Sequence, residues 1–212
     1  MFYRFVKAIF YPFVRLYLGL TRDGLEHLPR RGPAIVVCNH ASYMDAILLG
    51  SASPRPIHFI VLRWMYDLML LRWFYWGMGT IPVGSAGRDS RAIRRSMAML
   101  SAGRLLGIFP EGRRSEDGAL GETRPGAALI AALSGAPVVP AYIDGARESM
   151  PVGGRFPAPA RVHVRFGPAL RFAPGAEGRR DRGALDRFAS EVEAAIRRLG
   201  PPGAAPAGGG GP

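Results

Sequence analysis

His40 and Asp45 are separated by four residues in the stretch CNHASYMDA, residues 38–46. Imidazole is a suitable general base near neutral pH, and a nearby carboxylate can fix its tautomer and stabilise the imidazolium that forms. This spacing lets Asp45 fold back onto His40 across one short turn. The alternative is that Asp45 only stabilises the start of a following helix, while His40 is an ordinary loop residue.

A second polar stretch, IFPEGRRSEDG, covers residues 108–118. It places a carboxylate, a glycine and two arginines in one loop, namely Glu111, Gly112, Arg113 and Arg114. Adjacent arginines bind phosphate well, and a glycine lets the backbone approach a ligand closely. The loop therefore predicts a phosphate site, with a solvated basic turn as the alternative.

Each stretch overlaps the end of an apolar run that is typical of a buried strand. The first run is PAIVVC at residues 33–38, and the second is LLGIFP at residues 105–110. Helices are predicted over 44–52, 88–104, 123–135 and 182–200, and extended segments over 136–143 and 161–172. This alternation predicts an α/β fold with a mostly parallel central sheet flanked by helices. Such sheets commonly place reactive groups where their strands end, as both stretches do.

The composition favours anionic partners. The chain has 212 residues, 48% of them hydrophobic, and a formal net charge of +12. Lys7 is the only lysine, so arginine supplies nearly all of the positive charge. Zinc-ligand spacings, RNA-binding aromatic motifs and helix-turn-helix patterns are not found, and we expect no nucleic-acid partner. Metal binding at His40 and Asp45 is not expected, because no further ligands are near in a recognised pattern.

Residues 1–24 are predicted to form a helical segment that associates with a membrane. The segment is aromatic, and its basic residues and Pro12 fit a helix lying on an anionic surface better than a spanning one. The alternative is a helix that simply packs on the domain. All three tryptophans lie in residues 57–79. This apolar segment is predicted to form an aromatic belt at the membrane interface or the wall of an acyl-chain pocket, and the alternative is a pair of core helices. Residues 25–200 form the predicted main domain, and residues 201–212 a disordered Gly/Pro/Ala tail.

Together the two polar stretches resemble the glycerolipid acyltransferase family that includes the lysophosphatidate acyltransferases. That family carries an N-H-x4-D block, matched here by Asn39, His40 and Asp45. It also carries an F-P-E-G-T-R-S block, matched by Phe109, Pro110, Glu111, Gly112, Arg114 and Ser115. Arg113 stands where the family usually has threonine. Two softer matches are IPVGSAGR, ending at Arg88, and GAPVVPAYI, with Pro140 in the family's proline position.

The resemblance implies an acyl transfer without a metal or organic cofactor. His40, oriented by Asp45, would act as general base on the hydroxyl of lysophosphatidate, which attacks the thioester of acyl-CoA or acyl-carrier protein. The residues expected to bind the acceptor are Glu111, Gly112, Arg113, Arg114, Arg88 and Pro140. For Glu111, hydrogen bonds to the glycerol hydroxyl or orientation of the arginines fits its charge better than phosphate contact.

The expected enzyme is a 1-acylglycerol-3-phosphate O-acyltransferase, peripheral or monotopic on the cytoplasmic face of the cell membrane. Alternatives are an acyltransferase for another lysophospholipid or a lyso-aminolipid, and a lipid-binding membrane protein without turnover. The remaining histidines, His27, His58 and His163, are expected to be structural.

Overall fold

The computed structural model describes residues 2–84, 89–115, 120–121, 123–150, 154, 156–175 and 177–201. The predicted site residue Arg88 and nearly all of the predicted disordered tail lie outside these residues. Besides a 3-10 turn at Leu25–His27, eight α-helices are described: α1 (Phe2–Tyr17), α2 (Asp45–Ala52), α3 (Arg63–Tyr66), α4 (Met69–Gly77), α5 (Ser90–Ser101), α6 (Gly126–Ser134), α7 (Ala146–Ser149) and α8 (Arg182–Leu199).

The described strands form one seven-stranded sheet. They are β1 (Thr21–Asp23), β2 (Ala34–Cys38), β3 (Ile57–Leu62), β4 (Ile81–Val83), β5 (Leu105–Ile108), β6 (Val138–Asp144) and β7 (His163–Phe166). Their order is β1-β7-β6-β2-β5-β3-β4, and only the β6–β7 pair is antiparallel. The predicted α/β class with a mostly parallel sheet is confirmed.

Two apolar cores cover the two faces of the sheet. Every residue of β2 is buried, which explains the continuous apolar run in its sequence. Val36 packs with α1 and α2, whereas Ile35 and Val37 belong to the cluster formed with α5, α6 and α8. The central strand that leads to His40 is therefore fixed from both sides.

The segment 57–79 divides into a strand and two helices. Its first part is β3, a strand of the sheet, and the chain then turns into α3 and α4. Asp67 lies just after the short α3, where its N–H bonds to the carbonyl of Arg63. Trp64, Trp73 and Trp76 are exposed rather than packed in the core.

The helix predicted at the N-terminus is present as α1. It is held to the domain by the buried side chains of Tyr3 and Val14. Residues 21–23, which the predicted boundary at 24 assigns to the N-terminal segment, pair with β7 in the sheet. Among the described residues, no helix combines the length and apolarity needed to cross a bilayer.

Pro140 lies buried in the central strand β6, opposite Val37. Proline is rare in central strands because it has no N–H to donate. Here the β6–β7 ladder ends at the Ala141–Phe166 pair, and the carbonyl of Pro140 accepts from the N–H of Gly167 where the neighbouring strand is interrupted. The N–H that Pro140 lacks is therefore at a position just beyond the end of the β6–β7 pairing. Substrate binding by Pro140 remains a prediction.

We expect Gly24→Ala to lower the free energy of unfolding by about 3 kcal/mol or more. Gly24 has φ 74°, and an added Cβ would lie 1.9 Å from the carbonyl oxygen of Phe166. Gly135→Ala is the matched control, since Gly135 has φ 68° and nothing within 4 Å of an added Cβ. It should lose only about 1 kcal/mol, from the left-handed backbone alone. Equal losses in denaturant titrations would contradict the steric argument.

Candidate active site

The candidate site lies at the carboxyl ends of β2 and β5, which are parallel neighbours with Val37 paired to Ile108. The loop after β2 carries His40 and leads to α2, and the loop after β5 carries Glu111 and the arginines. Adjacent parallel strands end at the same edge of a sheet, so the two polar stretches are brought side by side.

His40 and Asp45 form a hydrogen-bonded pair. Nδ1 of His40 lies 2.7 Å from Oδ2 of Asp45. The same oxygen accepts the backbone N–H groups of Ala41 and Ser42, each at 2.8 Å. A carboxylate only accepts, so Nδ1 carries the proton and the lone pair of the ring is on Nε2. The Asp45 side chain is fully buried, whereas that of His40 is 21% exposed and can reach a substrate.

The backbone of His40 is held on both sides by the loop after β5. Its N–H donates to Oε1 of Glu111 at 2.8 Å, and its carbonyl accepts the N–H of Ser115 at 2.8 Å. The other carboxylate oxygen of Glu111 accepts the N–H of Gly121 at 3.0 Å. Glu111 therefore fixes the loop of the dyad, and both its oxygens are already bonded to backbone donors.

The buried position of Glu111 affects its titration. Burial raises the pKa of the carboxyl, while the hydrogen bonds from Gly121 and His40 act in the opposite direction. The carboxylate is retained in a buried place because backbone donors replace its water shell. Direct contact of Glu111 with an acceptor, as the motif implied, remains a prediction.

Aromatic rings fix the plane of the imidazole. The ring of His40 stacks on Phe109, with centroids 4.3 Å apart and planes 17° apart. Phe109 in turn stacks on Phe59, with centroids 5.6 Å apart. With Nδ1 held by Asp45 and one ring face covered by Phe109, Nε2 has a defined direction.

The arginines of the second loop differ in their surroundings. Arg113 is exposed, whereas the guanidinium of Arg114 lies over the ring of Tyr43, its Cζ 3.6 Å from the ring centroid. Arg124 adds a third cation, since its guanidinium lies 3.3 Å from where a Cβ of Gly112 would be. Gly112 has φ 67° and so meets two requirements for glycine, the left-handed backbone and the close approach of Arg124. Sequence reasoning missed Tyr43 and Arg124, because nothing in their spacing indicates these contacts.

Asn39 and Cys38 are structural. The Asn39 amide bonds to both backbone groups of Ile143 in β6, at 2.8 and 3.0 Å. Cys38 is buried in β2 and donates to Oδ1 of Asn39, and burial raises the pKa of its thiol well above the ordinary value. A buried, protonated thiol is not a nucleophile.

The other histidines make different contacts and are not part of the dyad. Nδ1 of His58 is 2.9 Å from the carbonyl oxygen of Met78, and burial lowers the pKa of its ring. His163 does have a carboxylate partner, Asp23 at 2.7 Å, which joins β7 to β1 across 140 residues of sequence. Across the part of the chain that the structure describes, no group of three or more His, Cys, Asp or Glu is placed to hold a metal ion.

An apolar cavity of about 90 Å³ lies between α1, α2, β3 and α4. Ala46 and Ile47, which directly follow Asp45, line it together with Phe59. Phe59 thus belongs both to the cavity wall and to the ring stack that ends at His40. Lys7 also lines the cavity, its ammonium donates to the carbonyl of Ser53, and burial lowers its pKa.

Comparison with known proteins gives one consistent result. The family model described as "Acyltransferase" matches residues 20–144. A chloroplastic 1-acyl-sn-glycerol-3-phosphate acyltransferase of Arabidopsis thaliana is 34% identical over 146 residues, which are 68% of this chain and 40% of that protein. The 1-acyl-sn-glycerol-3-phosphate acyltransferase of Bacillus subtilis is 29% identical over 145 residues, covering 68% of this chain and 71% of that protein. This chain therefore spans less than half of the plant relative's length.

Among solved structures, the fold is similar to that of the 1-acyl-sn-glycerophosphate acyltransferase PlsC from Thermotoga maritima. The TM-score is 0.74 at 23% sequence identity, and the match covers 93% of this chain and 79% of the other.

We expect the buried Glu111 to give the native state a measurable pH dependence. Its folded-state pKa is raised above the ordinary glutamate value of 4.5, so the native state binds more protons than the unfolded state between these two pKa values. Its contribution to stability is therefore largest below about pH 4.5 and is lost as the pH rises through the folded-state pKa. Glu111→Gln should remove this fall, measured as the free energy of unfolding against pH.

Glu26→Gln is the control, because it removes one carboxylate at an exposed position. If the free energies of unfolding of the Glu111 and Glu26 variants differ from that of the parent by the same amount at every pH, Glu111 is not the source of the pH dependence.

Proposed function

Since the chain belongs to the acyltransferase family, we propose that it transfers a fatty acyl group from an acyl thioester to the free hydroxyl of lysophosphatidate, giving phosphatidate. One observation carries this proposal: the His40–Asp45 pair, with a free Nε2, lies beside a loop with two adjacent arginines. The names of the relatives in Arabidopsis and Bacillus support lysophosphatidate as the acceptor.

In this mechanism Nε2 of His40 removes the proton of the acceptor hydroxyl. The oxygen attacks the thioester carbonyl, and the tetrahedral intermediate expels the thiolate, which takes the proton from the imidazolium. The products are the new ester and a free thiol, and His40 returns to its neutral form. Asp45 stabilises the imidazolium through the 2.7 Å contact to Nδ1. Attack by Cys38 is not part of the scheme, because its thiol is buried in the sheet.

The two substrates have distinct places around the dyad. Arg113 and Arg114 bind the phosphate of the acceptor, and the exposed Arg124 adds positive charge at Gly112. The apolar cavity beside α2 takes part of an acyl chain, since Phe59 links its wall to the stack on His40. The donor is acyl-CoA or acyl-carrier protein.

We place the protein on the cytoplasmic face of the cell membrane. The outer side of α1 exposes Phe5, Ile9 and Leu16, and α4 exposes Trp73 next to Phe2 of α1. These side chains make one apolar surface from two helices. The high positive charge of the chain favours an anionic bilayer.

We expect purified protein to release thiol from acyl-CoA only when lysophosphatidate is present. His40→Ala should lower this rate by at least about 10³-fold, because the general base is lost. Asp45→Asn should lower it strongly as well, since the amide no longer stabilises the imidazolium. Circular dichroism and the unfolding transition show whether each variant is folded.

The result discriminates among the functions. Thiol release without an acceptor would indicate a thioesterase. Release with another lysolipid, but not with lysophosphatidate, would assign a different acceptor. A folded His40→Ala variant with the activity of the parent would reject the mechanism, and a lipid-binding protein would release no thiol with any donor or acceptor.

We expect the double variant Leu16→Glu with Met69→Glu to bind anionic vesicles at least about tenfold more weakly, because each change removes an apolar side chain from the interface. These residues are 84% and 87% exposed and lie in α1 and α4, respectively. Ser190→Glu in α8 adds a charge on the other face of the sheet and serves as control. Equal flotation of all three proteins with phosphatidylglycerol vesicles would move the membrane contact elsewhere.

A further inference from the structure

We propose that Tyr43 is a positioning residue for the acceptor, which holds the guanidinium of Arg114 so that one edge faces the phosphate. The inference rests on the proposed function, since it names the group that orients the phosphate-binding arginine. Tyr43 lies inside the stretch between His40 and Asp45, at a position to which the sequence assigns no chemistry.

The contact is direct. Cζ of Arg114 lies 3.6 Å from the centroid of the Tyr43 ring, the distance at which a guanidinium rests on an aromatic face. Among the described residues, a second arginine lies over a tyrosine, but Cζ of Arg22 is 6.0 Å from the ring centroid of Tyr11. The Tyr43 side chain is 43% exposed, so it is not a core residue whose packing accounts for its place.

The stack determines which atoms of Arg114 remain for a ligand. A guanidinium is planar, and all five of its N–H bonds point outward in that plane. A ring on one face therefore leaves the edges available. Of these edges, the one that carries Nε is buried in the protein and has no hydrogen-bond acceptor among the described residues. The edge formed by the two terminal Nη groups is therefore the one that a phosphate can approach, and its two N–H groups match two phosphate oxygens.

The loop that carries Tyr43 is itself rigidly held. Asp45 accepts the N–H groups of Ala41 and Ser42, and the Ser42 hydroxyl donates to the carbonyl of Met150 at 2.7 Å. The same hydroxyl accepts the N–H of Met44 at 3.2 Å. The residues on both sides of Tyr43 are thus fixed, and so is the start of its side chain.

The chemistry of the acceptor explains why base and stack share one loop. In lysophosphatidate the reacting hydroxyl and the phosphate are on adjacent carbons of glycerol. A protein that holds the phosphate at a set distance from Nε2 of His40 therefore also sets the position of the hydroxyl. Tyr43 and His40 are three residues apart on the same short loop, so Tyr43 links the phosphate site to the base.

We expect Tyr43→Leu to raise KM for lysophosphatidate about tenfold, with the KM for acyl-CoA changed less than about threefold. Tyr43→Phe keeps the ring face and should stay within about twofold of the parent. Tyr11→Leu, which removes the tyrosine near Arg22, is the matched control and should not change the KM for lysophosphatidate.

A double-mutant cycle tests whether Tyr43 acts through Arg114. Arg114→Ala should raise KM for the acceptor more than KM for the donor, and adding Tyr43→Leu should have little further effect. Additive effects would overturn the inference, as would a Tyr43→Leu variant with the KM of the parent. A loss in Tyr43→Phe equal to that in Tyr43→Leu would also overturn it, because the hydroxyl and not the ring face would then be required.

Equilibrium binding separates this inference from the proposed reaction. Lysophosphatidate in detergent micelles is titrated into His40→Ala protein with and without Tyr43→Leu. Binding that weakens about tenfold with the second change supports the inference even if the parent releases no thiol with lysophosphatidate. Turnover by the parent, together with binding unaffected by Tyr43→Leu, would reject the inference and leave the proposed function standing.

Discussion

The backbone N–H and carbonyl of His40 are both hydrogen-bonded to the loop that follows β5, and the geometry of the site depends on this pair of bonds. The N–H donates to Glu111 and the carbonyl accepts from Ser115, so the two loops cannot move independently. Phe109 and Arg114, from the same second loop, contact the ring of His40 and the ring of Tyr43. These two hydrogen bonds are possible because β2 and β5 are parallel neighbours that end at one edge of the sheet.

Both buried carboxylates of the site accept hydrogen bonds from backbone N–H groups. Asp45 accepts two backbone N–H groups and the imidazole, and Glu111 accepts two backbone N–H groups. Neither has a salt bridge to an arginine among the described residues. Neither Asp45 nor Glu111 is therefore paired with the positive charge of Arg113 or Arg114, as a site for an anionic ligand requires.

Local sequence patterns predicted the parts of the structure that depend on local physics. The apolar run before His40 is β2, the amphipathic pattern near the C-terminus is α8, and the His40–Asp45 spacing closes across one turn. Contacts between distant residues were not predictable. Glu111 meets the backbone of His40 across 71 residues, and His163 meets Asp23 across 140. Strand β1 has only three residues, two of them charged, so its pattern does not differ from that of a loop.

Because the only thiol of the chain, that of Cys38, is inside β2, its reactivity reports whether this strand is in its native place. Cys38 has no exposed surface, and burial disfavours its thiolate, the form that reacts with disulfide reagents. In the folded protein such a reagent reports thiols released from a donor without a background from the enzyme. When β2 leaves the sheet, the same reagent modifies Cys38, one site per chain. The rate of this slow modification therefore measures how often the strand that leads to His40 opens.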